Sequence, residues 1–285
     1  MQNILYKADN VNELFLSMVR DLKKQPELSN KTREIAHMTT VLYGSDRCFV
    51  NLPERKLNIN YPLTEFIWYL TANRNVSEIS EYAKIWDIIR DENGEVESNY
   101  GNYFFSPINL HTNQHTNQWD WCIDELSNDA SSRRATLNIL QPHHKIKNPK
   151  DIPCTFAVNF LIRNNQLNMY VYMRSCDIIF GWCNDIFCFS MIHQMMFNEL
   201  KLLDKFKNLM MGSYTHTMTS AHIYERHYKY FDIFDNYDNS TGLVSINNSA
   251  TYKQFLTIKK DSSKYVTLEE LTDSFKDKFI RIEPL

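Results

Sequence analysis

Glycine is scarce in this chain, with only six glycines among 285 residues. None of them forms a G-x-G-x-x-G or Walker motif, the loops whose backbone N–H groups surround nucleotide phosphates. If the protein binds a phosphate group, arginine side chains must therefore make the contacts.

The chain also lacks a long apolar run and a strong charge of either sign. No stretch reaches the ~18 apolar residues of a membrane-spanning helix. The N-terminus has neither the charged start nor the apolar segment of a signal peptide. The formal net charge is −3, which argues against a surface that wraps nucleic acid or seeks membranes. These absences predict a cytoplasmic protein (in the host cytoplasm if viral) that makes no direct nucleic-acid contact.

Metal binding is not expected from the cysteine and histidine spacing. The six cysteines include no C-x-x-C pair, so we expect reduced thiols of which one or two are reactive. His111 and His115 have i,i+4 spacing, and His143 is next to His144, but no matching carboxylate or cysteine set accompanies them. We therefore predict that no metal is bound.

The length and the hydrophobic pattern favour one α+β domain spanning residues 1–285. Strands and helices do not alternate regularly, which argues against a doubly wound α/β fold. Apolar spacing and turn signals predict the following elements: helices over 10–25, 62–71, 79–90, 118–128, 186–211 and 265–276, strand-like runs over 35–57, strands over 134–141, 155–162 and 167–174, and an irregular segment over 98–106.

One cysteine has the surroundings of a nucleophile. Cys154 follows Pro153, which fixes the approach of the chain to the thiol. A thiolate can add to an electron-poor ring carbon, and an adjacent arginine lowers the pKa of the thiol from its usual ~8.5. Arg174 and Ser175 offer a guanidinium fork and a hydroxyl, which suit a phosphate monoester. A buried structural cysteine is the alternative interpretation.

Two further charged features allow a functional or a structural interpretation. Glu65 lies in an apolar segment, where a lone carboxylate is costly and its pKa rises, as suits general acid–base work. It could instead face water near the start of its helix. Arg133 and Arg134 form a second cationic pair, which by itself is typical of a solvated surface.

In their order along the chain, these segments resemble the thymidylate synthase family. The resemblance extends from about residue 10 to the C-terminus and is tightest between residues 60 and 230. It rests on the following segments: Thr-Glu-Phe-Ile-Trp-Tyr-Leu at 64–70, Ile-Trp-Asp at 85–87, Ser-Ser-Arg-Arg at 131–134, Pro-Cys at 153–154, Arg-Ser-Cys-Asp at 174–177, Gly181, Asp185, and Ser-Ala-His-Ile-Tyr at 220–224. Thr155 departs from the pattern, since synthases usually carry histidine after the cysteine.

The resemblance implies a three-layer α+β fold with a bent mixed sheet, a homodimer formed through that sheet, and 5,10-methylenetetrahydrofolate as co-substrate. It also implies a pyrimidine nucleoside monophosphate as substrate and assigns roles to individual residues. Those roles are: Cys154 as nucleophile, Glu65 for proton handling, Arg174 and Ser175 for phosphate, Arg133 and Arg134 for the partner's phosphate, Arg33 as phosphate-loop arginine, His222 and Tyr224 for the sugar hydroxyl, and Asp177, Trp86 and Gly181 for the folate.

Asp185 determines which base the resemblance predicts. Family members that act on uracil carry asparagine here, and the deoxycytidylate hydroxymethylases carry aspartate. Uracil offers an N3–H donor and an O4 acceptor, whereas cytosine reverses both, which a neutral carboxylic acid matches. Buried polar groups left unpaired by the wrong base give strong discrimination. A shift of one residue would place Asn184 at this position and restore the uracil interpretation.

The product is the last prediction from sequence. The resemblance implies a cytosine hydroxymethylase of the kind found in bacteriophages that modify their DNA, in which water adds where a synthase transfers hydride. Asp151, three residues before the cysteine, replaces a usual apolar residue and is hypothesised to admit or order that water. Two alternatives stay open: a methylase making thymidylate or 5-methylcytidylate, and a non-catalytic nucleotide- or RNA-binding relative.

Overall fold

The structure is a computed structural model that describes residues 4–108, 117–145, 150–237, 243–261 and 266–285. His111 and His115, considered above as metal ligands, lie outside the described residues. So does the first residue of the helix predicted over 265–276.

Within the described residues, nine strands form two sheets. Their bounds are: β1 (Ile4–Ala8), β2 (Thr32–Tyr43), β3 (Thr136–Asn138), β4 (Thr155–Arg163), β5 (Gln166–Met173), β6 (Cys176–Asp177), β7 (Met210–Tyr224), β8 (Val244–Asn248) and β9 (Ile280–Pro284). The larger sheet has the order β1-β2-β7-β5-β4-β3, with β6 beside β7, and β8 pairs with β9. Parallel pairs (β1/β2, β5/β7, β6/β7) and antiparallel pairs occur together, so the sheet is mixed.

Nine α-helices of very different length accompany these strands in the part of the chain that the structure describes. Their bounds are: α1 (Val11–Lys23), α2 (Asn60–Thr71), α3 (Ile85–Ile89), α4 (Tyr100–Phe105), α5 (Gln118–Asn128), α6 (Gly181–Lys201), α7 (Lys229–Ile233), α8 (Tyr252–Asp261) and α9 (Leu268–Phe279). Two of the predicted helix starts have a clear cap. Asn10 accepts the N–H of Glu13 at the start of α1, and Thr267 forms a capping box with Glu270 at the start of α9.

The two faces of the large sheet differ in burial. In β7 the alternate residues Tyr214, His216 and Met218 are buried, while the residues between them stay half-buried. α6 contacts the sheet, and most of its side chains are buried, as expected of a helix that is apolar all round. The other face carries exposed aromatic side chains, among them Phe156 and Tyr172.

Helix α6 differs most from the sequence prediction. It begins at Gly181 and ends at Lys201, whereas the apolar pattern indicated 186–211 with Gly212 as its stop. Gly212 instead lies inside β7, where a Cβ would come within 2.5 Å of the carbonyl oxygen of Leu167 on β5. The glycine is therefore needed for close strand approach and does not end a helix.

Other boundaries also need correction. The predicted helix over 79–90 is a 3₁₀ turn at Ile79–Glu81 followed by α3, and the run over 35–57 contains one long strand, β2. The strand predicted over 134–141 is reduced to β3. The segment 98–106, predicted to be irregular, contains α4, which is capped by the side chain of Asn99.

Candidate active site

Two neighbouring strands bring together the predicted nucleophile and a residue predicted to bind the phosphate. Cys154 immediately precedes β4, and its carbonyl oxygen accepts the N–H of Arg174, just after β5, at 2.8 Å. The guanidinium of Arg174 turns back and donates to the carbonyl oxygens of Ile152 (2.7 Å) and Pro153 (3.2 Å). The exposed arginine thus braces the segment that leads into the cysteine and adds positive charge beside the thiol.

The pKa of the Cys154 thiol is raised, contrary to the sequence expectation. Burial is the main cause, because it penalises the charged thiolate. Arg174 does lower the pKa, as predicted, but the carboxyl groups of Asp185 and Asp151 raise it again. The ligand-free protein therefore favours the neutral thiol.

Asp185 lies in the second turn of α6 and belongs to the same cluster as Cys154. Its side chain acts electrostatically on Cys154 and on Tyr100. Burial raises the pKa of Asp185 well above its ordinary value, and the charge of Glu65 raises it further. Part of the residue's surface stays accessible, but protein atoms crowd its carboxyl group. The geometry favours a neutral carboxylic acid there.

The side chain of Asn184, the residue before Asp185, points away from the Cys154 thiol. Adjacent residues in a helix differ by about 100° in direction, so Asn184 and Asp185 cannot both face the thiol. The side-chain nitrogen of Asn184 donates to the carbonyl oxygen of Phe180 in its own helix, at 3.1 Å. The carboxyl group of Asp185, by contrast, lies close enough to Cys154 to raise the pKa of the thiol.

Glu65 is enclosed in α2, which excludes the alternative that it faces water. The residue is 5% exposed, and Oε1 accepts the hydroxyl of Tyr69 at 2.8 Å. Oε2 has no hydrogen-bond partner among the described residues. Burial raises the pKa of Glu65, and the hydroxyls of Tyr61 and Tyr69 partly offset that rise. A buried carboxyl group with one free oxygen can take or give a proton.

Trp86 lies behind Glu65 and is not an open platform for a ligand. Its ring is 6% exposed and packs at 4.9 Å from the ring of Trp68. The indole Nε1–H donates to the hydroxyl of Tyr61 at 3.2 Å. Trp86 therefore reaches Glu65 through Tyr61, which the sequence did not indicate.

The residues predicted to meet the folate lie where β6 leads into α6. Asp177 Oδ1 accepts the N–H of Ile179 at 2.9 Å. A Cβ placed on Gly181 would lie 3.8 Å from both the Asp177 Cβ and Asp185 Oδ2, so this glycine is flanked by the two aspartates. Phe180 next to it is 47% exposed and offers an aromatic face. An acceptor beside a partly exposed aromatic ring is compatible with the predicted contact to a pterin.

The residues predicted to bind the sugar lie on β7, next to Arg174, which is predicted to bind the phosphate. The rings of His222 and Tyr224 meet edge to face at 4.9 Å, which places both side chains on one face as the strand spacing predicted. The backbone N–H of Ser220 donates to the carbonyl oxygen of Arg174 at 3.2 Å, and the backbone carbonyl oxygen of His222 accepts the N–H of Ile178 at 2.9 Å. These bonds join the end of β7 to residues 174–178.

The remaining arginines are not gathered at the thiol. Arg33 packs at 5.1 Å from the ring of Tyr228 and 5.3 Å from that of Phe231, and donates to the carbonyl oxygen of Lys23. The structure thus holds Arg33 against α7, which does not support a phosphate-loop role. Arg133 and Arg134 are exposed just before β3, and Arg134 is paired with Glu125 at 2.8 Å.

Two further residues lie at the site: Tyr100, which follows the tryptophan segment of the resemblance but receives no role from it, and Arg55, which sequence reasoning missed. Tyr100 stacks on Phe189 at 5.9 Å, and burial raises the pKa of its hydroxyl, with a smaller contribution from Cys154. Arg55 is 5% exposed, donates through Nε to the carbonyl oxygen of Ile179 at 3.0 Å, and lies 4.5 Å from the ring of Phe180. Nothing in the local pattern around Arg55 indicates this contact, which joins residues 124 positions apart.

Asp151, hypothesised to admit or order water, is hydrogen-bonded to Ser98. Oδ2 accepts the N–H of Ser98 at 2.8 Å and Oδ1 accepts its hydroxyl at 2.5 Å. Burial raises the pKa of Asp151, and the bonds from Ser98 oppose that rise. Each oxygen thus accepts one bond from Ser98, so the carboxylate holds the cysteine loop to the segment before α4.

A possible metal-ligand cluster next to this site is already bonded internally. Ligand atoms of Glu97, His143 and His144 lie within 4.8 Å of one another. However, Glu97 accepts from Arg74 at 2.7 Å and from Tyr103 at 2.8 Å. His144 Nδ1 accepts the N–H of Gln141. These bonds make Glu97 and His144 part of a hydrogen-bonded brace, and Glu97 is a carboxylate beside the two histidines that the sequence did not indicate.

Comparison with known proteins assigns the family. A family model described as thymidylate synthase matches residues 15–261. The chain therefore belongs to the thymidylate synthase family of enzymes, which use methylenetetrahydrofolate as co-substrate, bind a nucleoside monophosphate and are typically dimeric. Within the described part of the chain, no helix has the length and apolar character to span a membrane.

Individual relatives make the resemblance more specific. The deoxycytidylate 5-hydroxymethyltransferases of Enterobacteria phages T4, T2 and T6 are each 32% identical to this chain over 181 residues, which cover 62% of this chain and 71% of the relative. The solved thermostable thymidylate synthase A from Bacillus subtilis aligns with a TM-score of 0.72 at 16% identity, covering 96% of this chain and 95% of its own. That alignment confirms the predicted thymidylate synthase-like fold with its mixed sheet.

Proposed function

We propose that this chain is a deoxycytidylate 5-hydroxymethyltransferase. It would transfer a one-carbon unit from 5,10-methylenetetrahydrofolate to C5 of dCMP and then add water, giving 5-hydroxymethyl-dCMP. The observation that carries this proposal is Asp185, a crowded carboxyl group of raised pKa beside Cys154. The identity to three phage enzymes of that name supports the same choice of base.

The protonation state of Asp185 explains the base preference. A neutral acid donates its O–H to N3 of cytosine and accepts a hydrogen bond from the 4-amino group. If the surroundings hold the proton on the oxygen that faces N3, uracil would set its N3–H donor against the carboxyl O–H and its O4 against a lone pair. Two buried polar pairs would then be mismatched, which is the situation that gives strong rejection of an analogue.

The chemistry begins at the thiol. Cys154 loses its proton and adds to C6 of the pyrimidine, which turns C5 into a nucleophile. When bound, methylenetetrahydrofolate supplies the methylene carbon that C5 attacks. Glu65 takes up and returns protons through its free oxygen, and C5 loses its proton. Tetrahydrofolate then leaves the transferred carbon, which becomes an exocyclic methylene group on C5. Water adds to that methylene carbon, and the thiolate leaves C6.

The positioning residues are assigned by the resemblance to the family. Arg174 and Ser175 bind the phosphate, His222 and Tyr224 bind the sugar hydroxyl, and Asp177 accepts from the pterin beside Gly181 and Phe180. Arg133 and Arg134 would reach a partner's phosphate across a homodimer formed by the exposed sheet face. Arg134 must release Glu125 to do so. We also propose that residues 1–285 act as a single catalytic domain.

Parallel incubations with the two nucleotides test the function. The purified protein is given methylenetetrahydrofolate with dCMP alone and, separately, with dUMP alone, and the release of tritium from C5 of each nucleotide is counted. The proposal predicts release from dCMP that exceeds release from dUMP by at least tenfold. Equal or greater release from dUMP would favour the synthase alternative. Binding of both nucleotides without release from either would favour a non-catalytic relative.

A further inference from the structure

A carboxylate on the neighbouring strand is joined to the predicted sugar-binding histidine. Glu34 on β2 is directly opposite His222 in the antiparallel pairing of β2 with β7. The hydroxyl of Ser220, two residues before His222, donates to Glu34 Oε2. The same Ser220 Oγ lies 3.3 Å from His222 Nδ1.

Counting protons determines the direction of these bonds. A serine hydroxyl has one hydrogen, and an ionised carboxylate can only accept. Once Ser220 donates to Glu34, its oxygen can only accept from His222, so Nδ1 of the imidazole must carry the proton. Nε2 of a neutral His222 is then a bare acceptor, and it has no hydrogen-bond partner among the described residues.

We propose that Glu34 is a positioning residue that acts through Ser220 to keep His222 in its Nδ1–H tautomer. Nε2 then accepts a hydrogen bond from a hydroxyl of the bound nucleotide, which must therefore be a donor. This inference rests on the proposed function for the identity of the ligand, a nucleoside monophosphate with a free 3′-hydroxyl. The tautomer itself follows from contacts within the protein.

The surroundings fix the ring as well as its proton. Backbone bonds from Ile178 to His222 and from Ser220 to Arg174 hold the strand against the phosphate-binding segment. Tyr224 closes the other side of the ring. A rotation of the imidazole would lose the Ser220 contact and disturb this packing, so the serine bridge selects both an orientation and a tautomer.

Changes to both the protein and the nucleotide test the hydrogen-bonded bridge from Glu34 through Ser220 to His222. Ser220→Ala removes it, Glu34→Ala frees the serine hydroxyl to donate to Nδ1, and Ser220→Thr keeps a hydroxyl. Thr219→Ala, at the exposed neighbouring position, is the matched control. Binding is measured for dCMP and for 2′,3′-dideoxycytidine monophosphate, which lacks the 3′-hydroxyl.

We expect Ser220→Ala and Glu34→Ala to weaken dCMP binding about tenfold, the loss of one hydrogen bond. Binding of the dideoxy nucleotide should change less than about twofold, since its contact is already absent. Ser220→Thr should recover most of the dCMP affinity. Equal losses for both nucleotides, or no loss for either, would overturn the proposal, because a merely structural defect does not distinguish them.

Nitrogen NMR of the free protein gives a readout that needs no ligand. With ¹⁵N-labelled histidine, the His222 signals of the parent chain should show a protonated Nδ1 and a bare Nε2. Ser220→Ala should shift the population toward Nε2–H. An Nε2–H tautomer in the parent chain contradicts the bridge, whatever nucleotide the protein proves to bind. If the tautomer is as expected and neither nucleotide binds, the proposed function fails while the bridge stands.

Discussion

Replacing Asp185 with asparagine should invert the base preference. The change is nearly isosteric and leaves α6 intact, but it exchanges the carboxyl O–H for an amide that matches uracil. With the amide oxygen facing N3, the buried pairs to N3 and to the 4-position substituent both change from matched to mismatched for cytosine.

The size of the effect follows from those two pairs. Each unsatisfied buried polar group costs about 1–3 kcal/mol. Two of them give about 2–6 kcal/mol, or about 30-fold to 10⁴-fold in kcat/KM for dCMP. The accessible side of Asp185 lets some water relieve the mismatch, which favours the lower half of that range.

The assay is the ratio of kcat/KM for dCMP to that for dUMP, measured by tritium release from C5. Asn184→Asp is a matched control, since it adds a carboxyl group one residue away, where the side chain faces Phe180. The control should leave the ratio within about threefold of the parent value. An unchanged ratio in Asp185→Asn, or a large change in the control, would refute the assignment of Asp185 as base reader.

Four further outcomes follow from the same contacts. Cys154→Ser should abolish turnover while dCMP binding stays within about threefold by calorimetry; retained turnover would exclude a thiolate mechanism. Because burial raises the pKa of Asp185 above its unfolded value, its favourable contribution to stability is present at acid pH and is lost as pH rises through the folded pKa. Thermal denaturation should therefore show Asp185→Asn more stable than the parent at pH 8, with the difference shrinking toward pH 4; the opposite trend would mean an ionised group. Asp151→Leu should remove two hydrogen bonds and destabilise the fold by about 1–3 kcal/mol in urea while the hydroxymethyl-to-methyl ratio stays constant; a shift toward methyl would restore a water-ordering role. Gly101→Ala should fail to fold, because its Cβ would lie 1.7 Å from a backbone carbonyl oxygen of α2, whereas Gly181→Ala has 3.8 Å of clearance and should fold normally by circular dichroism.

The active-site motifs were predictable because their chemistry is local in sequence. A proline before Cys154, an arginine beside a serine, and an acid within an apolar helix each indicate a role without knowledge of the fold. The two-residue spacing of His222 and Tyr224 also predicts that their side chains lie on one face of the strand. In the structure their rings are in contact.

What sequence could not indicate are contacts between distant segments. The bond between Glu34 and Ser220 joins residues 186 positions apart, and only the β2/β7 register brings them together. The pKa of Cys154 was misjudged for a related reason, since burial by the whole fold outweighs the one nearby arginine. Helix α6 was placed too late because Gly212 fits a helix stop equally well until β5 is seen beside it.

The most direct test of the account is the mass of the nucleotide product. The protein is incubated with methylenetetrahydrofolate and an equal mixture of dCMP and dUMP, and the nucleotides are weighed by mass spectrometry. The account predicts a gain of CH₂O on dCMP and no change in dUMP. A gain of CH₂ on dUMP would contradict both the base assignment of Asp185 and the hydration step.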